Sequence, residues 1–180
     1  MKSDVISFKN APVILSRATV VGKKEFEGPI GSLFDRHDDT DTFGKNTWEQ
    51  SESEMQRLAL ELSIQKANLK NTDIGAVFAG DLINQCTGSA YGLISFGIPY
   101  FGLYGACSTA AEGLILASLA LNAGAFDRVA VVTSSHNCSA ERQFRYPIEY
   151  GGQRTPTAQW TVTGSAAFLL GSDRGAAYIT

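Results

Sequence analysis

The sequence predicts an α/β domain in which helices are layered against a mixed, mostly parallel β-sheet. Short apolar, β-branched runs alternate with helical segments along the 180 residues, and this order is typical of α/β layers. Residues 74–81 (IGAVFAGD) are apolar up to the final Asp, as strands buried on both faces are. Residues 108–122 are apolar or small on nearly every helical face, which indicates a helix buried on all sides. Such a helix fits between two sheets, so we expect a buried central helix here.

The first predicted elements are a strand, an irregular segment and a long helix. The β-branched run Val13–Gly22 predicts the strand, and the polar residues 23–50 predict a long irregular segment. Ser51 with Glu54 three residues later matches a capping box, so we expect a helix over residues 51–69. Helical spacing gives this helix one buried stripe, formed by Met55, Leu58, Ala59, Leu62 and Ala67.

The middle of the chain continues the alternation. A second helix is expected over residues 84–96, because Pro99 disfavours helical backbone just before it. Residues 100–104 predict a strand that ends in a sharp turn at Gly105, directly before the apolar helix. Residues 128–133, rich in valine, predict the strand that follows this helix.

The last part of the chain predicts a ligand loop and two strands. Residues 134–161 are polar and aromatic with several Gly and Pro, which is typical of an active-site or ligand-binding loop. Residues 162–171 are strand-like, and residues 176–180 (AAYIT) are the expected start of a further strand. A chain that ends inside a strand indicates the first half of a longer fold.

Composition excludes several classes of function. Hydrophobic residues make up 44% and charged residues 18%, with a formal net charge of -3, so the chain lacks the basic surface that nucleic-acid binding requires. Three cysteines without a C-x-x-C pair form neither a disulfide framework nor a zinc pattern, which favours a reducing compartment. We find no signal peptide, and no apolar run of the roughly 20 residues that span a bilayer.

An acidic cluster at residues 35–41 (DRHDDTD) is a candidate for cation binding. Carboxylate oxygens are ligands for hard cations, but the cluster lacks the EF-hand order and its glycine. We therefore expect a solvated loop and predict no metal site in the protein.

Cys107 is the first candidate functional residue, because its turn opens a helix. Free N–H groups at a helix N-terminus stabilise a thiolate or bind an anion. With a base and an oxyanion hole Cys107 acts as a nucleophile; the alternative is an apolar cysteine packed at a tight turn. Asp81 ends a buried strand, where ligand sites of α/β folds lie. It either contacts a ligand or Cys107, or it caps the helix that begins near Asn84.

The second group of candidates follows the strand at residues 128–133. Ser134, Ser135, His136 and Asn137 supply hydroxyl, imidazole and amide donors, which suit a carboxylate ligand. An ordinary polar turn is the alternative. The next loop adds three arginines that are candidates for bidentate pairing with a carboxylate: Arg142, Arg145 and Arg154.

Three strings resemble the N-terminal half of the thiolase superfamily. They are the turn Gly105-Ala106-Cys107-Ser108, the strand NAGAFDRVAVVTSS and the small-residue strand VTGSAA that begins at Val162. Three others, FGKNTWEQSESEMQ, FAGDLINQ and FGLYGACSTAAEGL, are similar to one branch of it, the stage V sporulation protein AD family of spore-forming bacteria. The resemblance implies a single thiolase-like domain over residues 1–180, the first half of a two-half protein.

The resemblance also implies a function. It implies binding of dipicolinic acid, as the free dianion or its calcium chelate, and support for uptake of this ligand into the developing spore without catalysis. Calcium is expected only as part of the chelate, and no other cofactor is expected. The implied contacts are Asp81, Cys107, Ser108, Ser134, Ser135, His136 and Asn137.

The expected partners and location follow from the same resemblance. We expect other stage V sporulation membrane proteins as partners, and a position peripheral to the inner membrane of the forespore or spore. A homodimer is expected through edge pairing of the strand at residues 100–104. Two alternatives stay open: an acyltransferase or β-ketoacyl synthase-type condensing enzyme with Cys107 as nucleophile, and a purely structural subunit.

Overall fold

The computed structural model describes residues 5–8, 10–144, 157, 159–172, 175 and 177–180. Within them the strands are β1 Val13–Gly22, β2 Arg36–Asp38, β3 Ala76–Gly80, β4 Tyr100–Gly102, β5 Arg128–Ser135, β6 Gly164–Gly171 and β7 Ala177–Tyr178. The α-helices are α1 Lys23–Phe26, α2 Trp48–Lys66, α3 Thr87–Leu93, α4 Thr109–Asn122 and α5 Asn137–Phe144. Arg145 and Arg154, two of the three candidate arginines, lie outside the described residues.

The seven described strands form one mixed sheet in the order β2-β1-β6-β5-β3-β4, with β7 also paired to β1. β3 pairs in parallel with β4 and β5, and β1 pairs in parallel with β2. β6 lies antiparallel between β1 and β5, and β7 is antiparallel to β1. Strands β1 to β5 therefore run in one direction and β6 and β7 in the other, which confirms the mixed, mostly parallel sheet.

The sheet carries a hydrophobic core on each face. On one face α2 packs through Met55 and Ala59 against β-strand residues that include Val132. On the other face α4 packs through Ala117 against β3, β5 and β6. The described residues thus form helix–sheet–helix layers, whereas the sequence predicted the apolar helix between two sheets. The strand expected at Val13–Gly22 has the bounds that its sequence predicted.

The long helix begins earlier than the capping-box pattern predicted. Thr47 is its N-cap, and the Thr47 side chain accepts a hydrogen bond from the Gln50 N–H. Ser51 is instead fully buried in the first turn of α2, where its hydroxyl donates to the carbonyls of Thr47 and Thr42. The prediction failed because a serine within a helix can bond back to the carbonyl four residues earlier instead of capping the helix.

Two segments predicted as loops contain regular structure. Residues 23–50 include α1 and the short strand β2, which extends the sheet beyond β1. The acidic cluster is tied into this edge, because Asp35 accepts hydrogen bonds from the Thr19 N–H and from Lys66 Nζ at 2.6 Å. The predicted ligand loop after Ser135 begins with the helix α5 rather than with irregular chain.

The helix predicted over residues 84–96 is broken. Gln85 and Cys86 have positive φ angles of 60° and 50°, so a turn precedes α3 and leaves it only Thr87–Leu93. Left-handed backbone interrupts a right-handed helix. The spacing of apolar residues does not indicate where such backbone occurs, so the sequence did not predict the break.

The apolar helix α4 is not buried on all sides within the described chain. Gly113 and Ala117 face the sheet, whereas Ile115, Leu116 and Leu119 are 47%, 37% and 39% exposed. The prediction of complete burial is therefore wrong for these residues, because the one sheet that the described residues form covers a single side of the helix.

Candidate functional site

A cavity of about 670 Å³ opens where α4 begins beside the ends of β5 and the start of β6. Cys107, Thr109 and Ala110 form the wall at the start of the helix. Its other walls come from strand residues and from the segment before β6, among them Val21, Thr133, Ser134, Ser135, Trp160 and Val162. The volume lies in the range of about 300–1,000 Å³ that small-molecule sites occupy.

Cys107 lies in the tight turn between β4 and α4. The chain leaves β4, makes a turn closed by the Ser108 N–H on the Gly105 carbonyl at 2.9 Å, and enters α4 at Thr109. Ala106 has a φ of 46°, which turns the chain sharply enough to leave the Cys107 thiol exposed on the cavity. The N–H groups of a helix's first turn have no carbonyl partner within the helix, so the thiol lies beside donors suited to an anion.

Ser108 belongs to the same turn but not to the cavity wall. Its hydroxyl donates to the Gly105 carbonyl at 2.7 Å, so it stabilises the turn that presents Cys107. Gly105 has no room for a side chain, because a Cβ there meets the Glu112 carboxylate and Ser108 Oγ.

Ser134 and Ser135 lie on the cavity with Cys107, as expected for a common site. Ser135 Oγ donates to the Val162 carbonyl at 2.6 Å, which joins β5 to the segment before β6. Ser134 Oγ donates to Glu52 Oε1 at 2.8 Å and accepts from Gln56 Nε2 at 2.7 Å.

Asp81 lies behind the cavity rather than on it. Its buried carboxylate accepts hydrogen bonds from the Ile83 N–H, the Ser89 N–H and the Ser89 hydroxyl at 2.8, 2.7 and 2.6 Å. These bonds stabilise the turn after β3 and the first turn of α3, which agrees with the capping alternative. Among the described residues Asp81 makes no hydrogen bond to Cys107, and its neighbour Leu82 lines the cavity instead.

His136 and Asn137 also point away from the cavity. His136 is fully buried, its Nε2 donates to the Asp41 carbonyl at 2.9 Å, and its Nδ1 accepts from the Cys138 N–H. Burial lowers the pKa of His136, so the ring is neutral at pH 7. Asn137 donates through Nδ2 to the Thr161 carbonyl at 3.1 Å. Both residues hold loops around the cavity, and a direct ligand contact by either stays a prediction.

The structure adds two site residues that the sequence analysis missed, Glu52 and Gln56 of α2. Both side chains are fully buried. Glu52 Oε2 accepts from Ser139 Oγ at 2.9 Å, and Gln56 Nε2 donates to Ser89 Oγ at 2.9 Å. A signal was present, because Glu52, Gln56 and Ser63 are spaced at helical intervals beside the apolar stripe, so polar residues were to be expected on a buried face.

Comparison with known proteins identifies the family. Residues 2–180 match the family model described as stage V sporulation protein AD. The chain belongs to that family. It is 42% identical over 173 residues to the stage V sporulation protein AD of Bacillus subtilis, an alignment that covers 96% of this chain and 51% of that protein. The chain thus spans about half the length of this member of the stage V sporulation protein AD family.

Solved structures similar to this family member are condensing enzymes of thiolase-like fold. A 3-oxoacyl-(acyl carrier protein) synthase III from Xanthomonas oryzae matches with a TM-score of 0.61 and 16% identity, over 92% of this chain and 57% of that one. OleA from Xanthomonas campestris matches with a TM-score of 0.61 and 13% identity, over 93% and 60%. These matches establish the thiolase-like fold. No described helix is long and apolar enough to cross a membrane.

The carboxyl group of Glu52 has a high pKa for a glutamate. Burial raises the pKa of its carboxyl to about 7, the charge of Asp81 adds to the rise, and hydrogen bonds from Ser134, Ser139 and the His136 N–H oppose it. Between pH 4.5 and about 7, Glu52 is therefore mostly protonated in the folded protein and mostly ionised in the unfolded chain.

This equilibrium predicts how stability depends on pH. Because the folded pKa of Glu52 exceeds the unfolded value of 4.5, its contribution falls as pH rises between 4.5 and about 7, by about 3 kcal/mol. We expect Glu52→Gln to lose this dependence. The free energy of unfolding of the variant should therefore increase relative to that of the wild type as pH rises. Denaturant unfolding at pH 5 and pH 8 measures the gain, with Glu61→Gln on the exposed face of α2 as control. Parallel pH profiles for the three proteins would contradict it.

Proposed function

We propose that the protein binds dipicolinic acid, pyridine-2,6-dicarboxylate, and supports its uptake into the developing spore without catalysing a reaction. The observation that carries this proposal is the cavity at the start of α4, in a chain of the stage V sporulation protein AD family. Uptake at the spore, and a position peripheral to its inner membrane beside other stage V sporulation membrane proteins, belong to the same proposal.

The chemistry of the cavity suits a planar aromatic dicarboxylate. N–H groups at the start of a helix bind carboxylate oxygens, and Thr109, Thr133 and Ser135 place hydroxyl-bearing residues on the same walls. Val21, Phe34 and Trp160 supply apolar and aromatic surface for a ring. Lys24 Nζ lies 3.4 Å from the centroid of the Trp160 ring, which brings a positive charge to this wall.

Acidic groups near the cavity favour the calcium chelate over the free dianion. Glu141 lines the cavity and Asp81 lies behind it, and both repel a dianion. A bound cation reverses the sign of such local interactions. We therefore propose that the chelate binds more tightly than dipicolinate alone, and that the protein contributes no separate metal site.

The positions of the two histidines favour binding over histidine-activated catalysis. The chain has two histidines. His136 is bonded to the Asp41 carbonyl, and His37 stacks on Phe26 with ring centroids 3.5 Å apart. Neither lines the cavity with Cys107 among the described residues. A cysteine thiol needs an adjacent base to become a strong nucleophile, whereas the N–H groups of the same turn bind a carboxylate without one.

Filling the cavity tests the binding proposal. Ala110 lines the cavity on α4, and Ala110→Phe introduces a ring into the ligand volume. We expect isothermal calorimetry to show dipicolinate binding to the wild type, tighter with calcium, and at least about tenfold weaker binding to the variant, a loss of 1.4 kcal/mol or more. Ala123→Phe at the exposed end of α4 is the matched control and should bind normally. Absence of heat and of thermal protection for the wild type would refute the proposal.

Acyl transfer through Cys107 is the second candidate function. The specific observation in its favour is an exposed thiol on the cavity of a fold shared with condensing enzymes. In that case the thiolate attacks an acyl-CoA carbonyl, CoA leaves as the thiol, and a thioester remains on Cys107.

A labelling experiment separates the two functions. If the protein only binds its ligand, we expect no burst of acyl-enzyme from an acyl-CoA and no cerulenin adduct at neutral pH. A burst that Cys107→Ala abolishes would establish the second candidate. A third possibility, a structural subunit without a small-molecule ligand, is favoured if Asp81→Ala combined with Cys107→Ala leaves the protein's role in sporulation unchanged.

We also propose that the protein forms a homodimer through β4. This strand lies at one edge of the sheet, and Tyr100, Phe101 and Gly102 are all exposed. An exposed apolar edge strand is a site for pairing with another chain. Static light scattering should give the mass of two chains; the mass of one chain across the micromolar range would contradict the proposal.

A further inference from the structure

A buried polar network links the ends of β3 and β5 behind the cavity. Starting from Asp81, the hydroxyl of Ser89 donates to its carboxylate, and Gln56 Nε2 donates to Ser89 at 2.9 Å. Gln56 Nε2 also donates to Ser134 at 2.7 Å, and Ser134 donates to Glu52 at 2.8 Å. One continuous chain of hydrogen bonds therefore joins two carboxylates.

This network contains too few protons for its acceptors. Asp81 and Glu52 are acceptors when ionised, and Gln56 Oε1 is a buried oxygen with no hydrogen-bond partner among the described residues. Each serine has a single hydroxyl proton, and both Ser89 and Ser134 give theirs to a carboxylate. Unsatisfied buried acceptors are costly, and a proton added to one carboxylate reduces their excess, because it turns an acceptor into a donor.

Glu52 is the member of the network that takes up this proton. The groups that face it are Ser134 of β5, Ser139 of α5, the His136 N–H and the charge of Asp81. The His136 ring is neutral and bonded to Asp41. Burial and the charge of Asp81 raise the pKa of Glu52 to about 7, and among the described residues no ion pair with Glu52 opposes them.

Glu52 contacts the cavity wall through Ser134, which lines the cavity. Its second partner, Ser139, is buried behind the wall on α5, the helix that also carries the cavity residue Glu141. When Glu52 is ionised, the Ser134 hydroxyl donates to it and has no proton left for a ligand. When Glu52 is protonated, its own O–H donates to one serine, and that serine's hydroxyl proton becomes available.

We propose that Glu52 is a positioning residue of the ligand site, and that an anion binds in the cavity with uptake of one proton by Glu52. The inference rests on the proposed binding of an aromatic dicarboxylate and adds its regulation. Binding adds negative charge beside the Glu52 carboxyl, so protonation of Glu52 and occupation of the cavity favour each other. Affinity is therefore highest below the pKa of Glu52 and falls as pH rises above it.

Calorimetry with dipicolinate from pH 6 to pH 9 tests the coupling. Each titration is done in two buffers of different ionisation enthalpy, so that the number of protons taken up is measured directly. The carboxyl groups of the probe are ionised throughout this range. We expect uptake of up to one proton per ligand, greatest just above pH 7, and an affinity that falls about tenfold for each unit by which binding raises the pKa.

Two variants and one control sharpen the test. In Glu52→Gln the proton uptake should vanish, and the affinity should stay near the wild-type value at low pH across the range. Glu61→Gln, on the exposed face of the same helix, should retain the wild-type profile. Ser139→Ala removes a donor to ionised Glu52, so the fall in affinity should move to higher pH, and this variant serves if Glu52→Gln does not fold.

The outcomes separate the inference from the proposed function. Binding without proton uptake, or uptake that persists unchanged in Glu52→Gln, overturns the role of Glu52 and leaves dipicolinate binding intact. Absence of binding at every pH overturns both. Proton uptake that Glu52→Gln abolishes and Glu61→Gln preserves supports the inference, because a purely structural role for Glu52 would lower stability without changing the proton count.

Discussion

The site depends on the hydrogen bonds that Glu52 and Gln56 of α2 form at the carboxyl ends of β3 and β5. The parallel strands β3 and β5 end side by side. The buried polar groups at their carboxyl ends need hydrogen-bond partners within the protein. Helix α2 supplies these partners from one face of the sheet with two buried polar side chains, which hold Ser134 and, through Ser89, the loop of Asp81. The turn of Cys107 leads into α4 on the opposite face, and Ser134 belongs both to this network and to the cavity wall.

This division between the two faces explains why the predicted site residues separate. Side chains alternate along a strand, so neighbouring residues of β5 face opposite layers. The hydroxyl of Ser134 bonds into the α2 layer, while that of Ser135 bonds to Val162 beside the cavity. Asp81 likewise bonds into the layer of α2 and α3. Ser134 and Ser135 are adjacent in the sequence, so they were expected to act together. The pleat of β5 instead directs their hydroxyls to two different environments.

The sequence predicted the fold well because its main signals are local. The β-branched run of β1, the apolar run of β3 and the turn at Gly105 depend on neighbouring residues only. The failures have non-local causes: the exposed face of α4 depends on which layers cover it, and the burial of Glu52 depends on serines 82 and 87 residues away in the chain. Helical spacing identified the apolar stripe of α2, but only the folded contacts show that Glu52 and Gln56 beside it are buried as well.

The turn at Cys107 suits either an enzyme or a binding protein, and the two functions make different demands on its surroundings. A thioester intermediate and a carboxylate both present an oxyanion to the N–H groups at the start of α4. An acyltransferase needs, in addition, a base placed to activate the thiol. Here the buried ionisable group behind the cavity is a carboxyl with a pKa of about 7, joined to the wall through the Ser134 hydroxyl rather than to Cys107. Such a group changes the charge behind the cavity as pH changes, which fits the proposed binding of an anion.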